Sequence, residues 1–179
     1  EDMVLNEDFN EYIIDISNTF TDIDMDYLQY SYSIDENDFI NISLIGDEII
    51  LNSIQDQNGG PVTATLIADD LNRRLTVSDF FEIVVNEIND APIAYDVVLN
   101  IAEDVPQIIP SDFSDIDSEN SSIGINIIDQ ALYGSVSIQG HGFLYSPNTN
   151  FVGSDSFTYR VYDNDLYSNI ASIFINHMF

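Results

Sequence analysis

The sequence predicts an all-β chain made of two tandem Greek-key β-sandwiches joined end to end. Short segments such as 28–34 and 39–44 alternate apolar and polar residues, which is typical of strands with one buried face. No stretch shows a helical period. An acidic pattern also occurs twice, with Asp22 and Asp115 in the same local frame 93 residues apart (115 − 22). A repeat of this length indicates two related modules of about 90 residues, the size of a small sandwich domain.

The strands follow in order along both modules. The segments with alternating, β-branched or aromatic residues are 28–34, 39–44, 62–66 and 80–85, then 123–127, 135–138, 157–161 and 171–175. Predicted turns separate them at Asn58-Gly59-Gly60-Pro61, Gly140-His141-Gly142 and Ser146-Pro147-Asn148. We predict module bounds of 1–90 and 91–179, with the segment Asn89-Asp90-Ala91-Pro92 at the boundary.

Charge and composition exclude several classes of protein. The 179 residues include 32 Asp and Glu against 3 Arg and no Lys, a formal charge of −29. Such a field repels nucleic acid and anionic lipid, so neither is an expected partner. No run of about eighteen apolar residues predicts a membrane span. The absence of Cys excludes disulfides and thiolate zinc sites, so a bound metal is the staple we expect for modules this small.

Acidic residues recur at matching positions of the two modules. Each module has an early acidic pair, an Asp-Ile-Asp triplet and a late Asp: Glu7-Asp8, 22–24 and Asp69, then Glu103-Asp104, 115–117 and Asp163. Crowded carboxylates repel one another unless some take up protons or a cation neutralises them. The repeated positions therefore predict metal sites.

Strand length assigns these carboxylates to the ends of the modules. From Pro92 to Glu103 the chain can extend roughly 35 Å at about 3.3 Å per residue, so Glu103 should lie far from the linker. The return strand should bring Asp115 and Asp117 back to it, and Asp163 follows a later strand with the same direction. By the same reasoning, Glu7 belongs at the linker end of the first module.

The donors expected at the linker favour calcium. They are Glu7, Glu87, Asn89, Asp90, Asp115, Asp117 and Asp163. Ca2+ prefers six to eight hard oxygen ligands of this kind, whereas Mg2+, which stays open as an alternative, favours small octahedral shells that retain water. Zinc is disfavoured because His141 and His177 are the two histidines and Cys is absent.

Both modules resemble cadherin-like tandem repeats. The first is similar to dystroglycan-type cadherin-like modules through 20–24, 28–30, 63–69 and Asn89-Asp90-Ala91-Pro92. The second resembles bacterial tandem cadherin-like modules through Gly134-Ser135-Val136, Tyr145-Ser146-Pro147, 151–159 and 161–163. This resemblance covers nearly the whole chain and implies immunoglobulin/cadherin-like β-sandwiches.

The resemblance also implies a ligand set for Ca2+ at the linker. Carried over by position, the set is Glu7, Asn89, Asp90, Asp115, Asp117 and Asp163. The Asp-Arg-Glu motif of the family is not matched here, and Asp56 is its candidate replacement. Asp22, Asp24 and Asp69 would form a site at the outer end of the first module, and Glu103 would face a following module.

These expectations lead to a binding or structural function and not to an enzyme. The sequence contains no Gly-x-Ser-x-Gly, His-Glu-x-x-His or phosphate-loop motif. We expect a segment of a larger secreted or cell-surface protein, stiffened by Ca2+ and serving in adhesion or as a spacer. Its expected partners are calcium ions, neighbouring repeats of the same chain, and surface glycans or another cell-surface protein. The alternative is a Ca2+-dependent carbohydrate-binding module of a secreted polysaccharide-degrading enzyme, and homophilic association is left open.

Overall fold

The computed structural model describes residues 2–71, 75–118, 122–163 and 165–178. The described residues form sixteen β-strands and contain no α-helix, which confirms the predicted all-β class. Accordingly, nothing in these ranges is a helix of the length and apolarity needed to cross a bilayer. The chain separates into two compact units, Glu1–Ile88 and Asn89–Phe179.

The first unit contains seven strands. They are β1 (Met3–Asn6), β2 (Tyr12–Asp15), β3 (Leu28–Ile34), β4 (Ile40–Ile45), β5 (Glu48–Ser53), β6 (Gly59–Asp70) and β7 (Leu75–Asn86). One sheet has the order β1-β7-β6-β3 and the other β2-β5-β4, with β1 running parallel to β7. Alternate residues of β6, from Val62 to Leu66, are buried and share a core cluster with Ile49 and Leu51 of β5 in the second sheet. Burying each of these larger side chains contributes about 1.5–3 kcal/mol.

The second unit contains nine strands. They are β8 (Ile93–Ala94), β9 (Val97–Ala102), β10 (Gln107–Pro110), β11 (Phe113–Ser114), β12 (Gly124–Asp129), β13 (Gly134–Ile138), β14 (Gly142–Pro147), β15 (Gly153–Tyr162) and β16 (Ala171–Met178). A four-stranded sheet of order β12-β15-β16-β9 faces the sheet β10-β14-β13, and the short pair β11-β8 lies beside them. Phe143 of β14 packs edge-on against Phe157 and Tyr159 of β15, with ring centroids 5.0 and 5.1 Å apart, and Tyr145 belongs to the same buried core.

The two units repeat one topology. In each, the first long strand runs parallel to the last strand, β1 with β7 and β9 with β16, and the last strand pairs antiparallel with the one before it. This is the Greek-key β-sandwich that the sequence predicts. Loops carry the acidic triplets 22–24 and 115–117 and the late residue Asp163, whereas the late residue Asp69 lies within β6.

Several predicted turns and strands have different bounds in the structure. The predicted turn at 58–61 lies mostly in β6, which starts at Gly59 and shifts register before Val62. Gly142 and Pro147, predicted as turn residues, are the first and last residues of β14. Gly142 fits in this strand because it has no Cβ; a Cβ there would lie 2.5 Å from the carbonyl oxygen of Ile109. The stretch from Pro92 to Glu103, expected to extend along the unit, contains two strands, β8 and β9.

Candidate metal centre

The residues that begin the second unit are hydrogen-bonded to its two acidic loops. The backbone N–H of Asp90 donates to Asp117 Oδ2 at 2.6 Å, across 27 residues of sequence. The side-chain Nδ2 of Asn89 donates to Asp163 Oδ2 at 2.9 Å, across 74 residues. Four of the predicted donors are therefore neighbours at one end of this unit.

The Asp115–Asp117 loop follows β11 and turns on the first of these carboxylates. Asp115 Oδ1 accepts the backbone N–H groups of Asp117 and Ser118, at 3.0 and 2.9 Å, which is the Asx-turn geometry favoured by Asp. Asp115 Oδ2 is shielded from solvent and has no hydrogen-bond partner among the described residues. A shielded carboxylate oxygen without a donor is costly, so this atom is suited to a cation.

Asp163 is held in its ionised form by backbone donors. It follows β15 with 3% of its surface exposed. Its Oδ1 accepts the N–H groups of Asp165 and Leu166, at 2.9 and 2.8 Å. The Leu166 N–H lowers the pKa of Asp163 most, and the Asn89 amide and the Asp165 N–H add to this against the opposing effect of burial. Asp163 is therefore a charged ligand candidate at neutral pH.

This end of the unit concentrates negative charge. Asp90, Asp115, Asp117 and Asp163 supply four carboxylates, and the chain as a whole has 3 basic residues against 32 acidic ones. The guanidinium carbon of Arg160, the one Arg within the described ranges, lies 3.8 Å from the ring centroid of Tyr167. Like charges at one end of a small unit favour the binding of a cation.

The predicted donors of the first unit have their own local partners. Glu7 is buried, and its Oε1 accepts the backbone N–H of Ile88 at 2.6 Å. This hydrogen bond places Glu7 where the chain leaves the unit. The N–H of Asp56 donates to Asp8 Oδ1 at 3.0 Å, and Glu87 is exposed.

The remaining candidate residues lie in a loop, in a strand and directly after a strand. Asp22 Oδ1 accepts the N–H groups of Asp24 and Asp26, at 2.7 and 3.3 Å. Asp69 lies in β6, and its Oδ1 is shielded without a hydrogen-bond partner in the described part of the chain. Glu103 is half-buried, and its N–H donates to the carbonyl oxygen of Met178 at 3.2 Å.

One repeated contact was not predicted from the sequence. The pair Asp8 and Asp56 has a counterpart in Asp104 and Asn150, whose N–H donates to Asp104 Oδ1 at 2.6 Å. All four residues have positive φ, between 54° and 61°. Spacing in the sequence could have indicated this contact, because Asp56 and Asn150 each precede a glycine by three residues. Asn150 thus occupies in the second unit the position of the candidate ligand Asp56.

The fold and the site define an immunoglobulin-like β-sandwich with acidic loops at its ends. Residues 89–176 match the family model described as Bacterial Ig domain, which spans nearly all of the second unit. Domains of this kind and cadherin-like domains are typically extracellular. No curated protein matches the chain.

Solved structures with similar folds include cadherins and a glycoside hydrolase. The chain is 13% identical to Drosophila N-cadherin EC1-4, with 89% of this chain and 43% of that chain covered and a TM-score of 0.51. Chicken VE-cadherin EC1-2 is also 13% identical, with coverage of 99% and 97% and a TM-score of 0.48. An endo-fucoidan hydrolase from glycoside hydrolase family 107 is 17% identical, with a TM-score of 0.40. The match includes 99% of this chain but only 28% of the hydrolase chain. The N-cadherin similarity confirms an immunoglobulin/cadherin-like sandwich, and the finer assignment to tandem cadherin-like repeats stays a prediction.

Proposed function

We propose that this chain is a calcium-binding segment of a larger extracellular protein and serves as a spacer or adhesive element. One observation carries the proposal: Asp115 Oδ2, shielded and without a hydrogen-bond partner among the described residues, stands in the loop that also holds Asp117. An oxygen of this kind is a ready ligand for a hard cation. The role requires no catalytic group.

The donor set of the second unit fits Ca2+. Asp115, Asp117 and Asp163 would supply carboxylate oxygens, and Asn89 and Asp90 would complete the shell with side-chain or backbone oxygens. Six to eight such ligands suit Ca2+, and water can fill the remaining positions. Glu7, Asp56 and Glu87 stay ligand predictions of the sequence, as do Asp22, Asp24, Asp69 and Glu103.

Binding at this position would act on the linker itself. Asn89 and Asp90 directly follow Ile88, the last residue of the first unit. An ion shared between these residues and the acidic loops would fix the direction in which the chain enters the second unit. Without the ion, the carboxylates repel one another and the linker has more freedom. We therefore expect Ca2+ to convert a hinge into a stiff connection.

Calorimetry and solution scattering on the whole chain test this function. Titration with CaCl2 after chelator treatment should give saturable binding, with MgCl2 as the control for nonspecific charge neutralisation. At a free concentration of 100 times Kd, binding should stabilise the folded chain by about 2.7 kcal/mol. Scattering should give a narrower distribution of dimensions in Ca2+ than in chelator. Absence of saturable heat would refute the binding, and identical scattering in both buffers would refute the stiffening.

A further inference from the structure

A small hollow lies on the outward face of the four-stranded sheet of the second unit, away from the acidic loops. Its volume is about 230 Å3, and its side walls and floor include Leu132, Tyr133, Ser154, Ser156, Phe174 and Asn176. Tyr133 is 46% exposed and Phe174 44% exposed, so two aromatic rings border the hollow and remain open to solvent.

The floor of the hollow is a row of small polar side chains. In the antiparallel pair β15 and β16, Ser154 lies opposite Asn176, and Ser156 lies opposite Phe174. Ser154 Oγ donates to Asn176 Oδ1 at 2.9 Å, and Asn176 Nδ2 donates to Asn100 Oδ1 at 3.3 Å. Hydroxyl and amide groups therefore line the hollow together with apolar side chains.

Tyr133 is fixed in place at its backbone and at its ring. Its N–H donates to Asp155 Oδ2 at 3.0 Å, and its carbonyl accepts the N–H of Asn148 at 2.8 Å. Its ring stacks on Phe151, with centroids 4.2 Å apart and an angle of 7° between the planes. One face of the Tyr133 ring is thus backed by another aromatic ring.

The anchor of this loop is itself buried and held. Asp155 is 6% exposed, and its carboxylate also accepts the Leu132 N–H at 3.0 Å and the Tyr145 hydroxyl at 2.8 Å. A surface aromatic supported in this way loses little conformational freedom when a ligand binds. The structure therefore contains a preorganised aromatic wall beside hydrogen-bonding groups.

We propose that this hollow binds one sugar ring of a neutral polysaccharide. A pyranose presents an apolar C–H face, which can pack on Tyr133 or Phe174, and a rim of hydroxyls, which can bond to Ser154, Ser156 and Asn176. The hollow is smaller than the roughly 300–1,000 Å3 typical of sites for drug-sized ligands, which suits a single ring. A neutral glycan fits better than a sulfated or uronate glycan, because the chain carries a formal charge of −29.

Affinity electrophoresis of the whole chain tests the proposal. Native gels containing laminarin, xylan or galactomannan serve as neutral probes, and alginate serves as the anionic probe, each in Ca2+ and in chelator. At least one neutral glycan should retard the protein, and it should do so in both buffers because no calcium ligand proposed above lines the hollow. Loss of calcium binding would therefore leave this result unchanged.

Variants assign any binding to the hollow. Tyr133→Ala should weaken retardation at least tenfold, and Phe174→Ala, which leaves the Asp155 anchor intact, should weaken it as well. Tyr27→Ala is the matched control, because Tyr27 is an aromatic residue of the first unit that is 79% exposed. This variant should bind the glycan like the parent. The proposal is overturned if no neutral glycan retards the chain, if alginate alone does, or if Phe174→Ala binds like the parent.

Discussion

Replacing Asp115 by Asn should separate calcium binding from folding. The Asn side chain keeps an Oδ1 that accepts the N–H groups of Asp117 and Ser118, so the turn should be retained. The other carboxylate oxygen, shielded and without a hydrogen-bond partner among the described residues, becomes an NH2 group that cannot ligate a cation. The change also removes one negative charge from the cluster.

The effect should reverse sign between chelator and calcium. Two unit charges about 4 Å apart repel by about 1 kcal/mol even at the dielectric constant of water, so loss of the Asp115 charge should raise the stability of the ion-free variant by about 1 kcal/mol at most. For a domain of this size, about 1 kcal/mol corresponds to about 4–8 °C in Tm. At a Ca2+ concentration of 100 times the parent's Kd, the parent gains about 2.7 kcal/mol, and a variant with hundredfold weaker binding gains about 0.4 kcal/mol. The calcium-dependent rise in Tm should therefore fall from about 11–22 °C to about 2–3 °C.

Thermal melts of parent and variant, in chelator and in CaCl2, measure both the change in Tm without calcium and the calcium-dependent rise in Tm. Asp15→Asn is the matched control, because Asp15 Oδ1 accepts the Ser17 N–H at 2.9 Å in a similar turn and is not a proposed ligand. This control should show the same calcium-dependent rise as the parent. If Asp115→Asn also keeps the full rise, the assignment of this loop to the metal site is wrong.

Three further changes test the packing and the charges of the second unit. The Leu166 N–H and weaker donors lower the pKa of Asp163, so the ionised carboxylate stabilises the folded chain above pH 3.8, and this stabilisation is lost as the pH falls below that value. In chelator, Asp163→Asn should therefore show a smaller fall in the urea midpoint at acid pH than the parent. Burial raises the pKa of Tyr145, so the neutral hydroxyl stabilises the folded chain below pH 10.0, and this stabilisation is lost as the pH rises through the higher pKa of the folded state. Tyr145→Phe should therefore lose less stability at alkaline pH than the parent. An equal loss of stability in the variant and the parent would contradict this. Gly142→Ala puts a Cβ 2.5 Å from a backbone oxygen and should lower stability in a thermal melt by about 1–3 kcal/mol. Gly140→Ala, with no atom of the described residues within 4 Å of the new Cβ but a φ of 59°, should cost only about 1 kcal/mol.

Strands with a long alternating pattern could be predicted from the sequence, and strands without one could not. The predicted segment 28–34 is β3, with the same bounds, because its side chains alternate between partial burial and exposure for most of its length. The strand β5 was not predicted, since its central run of Ile49, Ile50 and Leu51 does not alternate. The strands β8 and β11 have two residues each, too few to display a period.

The end of the unit at which the acidic residues lie could be predicted from the sequence, but the contacts between loops could not. Repeat spacing and strand direction indicated that Asn89, Asp90, Asp117 and Asp163 belong at one end of the second unit, and the structure has hydrogen bonds among them. Those bonds depend on loop conformations that spacing does not determine. The pairing of Asp104 with Asn150 depends on two left-handed residues, which no periodic pattern reveals.

Crystals of the chain grown in CaCl2, with anomalous scattering recorded at long wavelength, give the most direct test of the central claim. We predict an anomalous peak with oxygens of Asp115, Asp117 and Asp163 at about 2.3–2.6 Å, the range of Ca2+–oxygen bonds in proteins. Well-ordered acidic loops with no anomalous peak beside Asp115 Oδ2 would contradict the account.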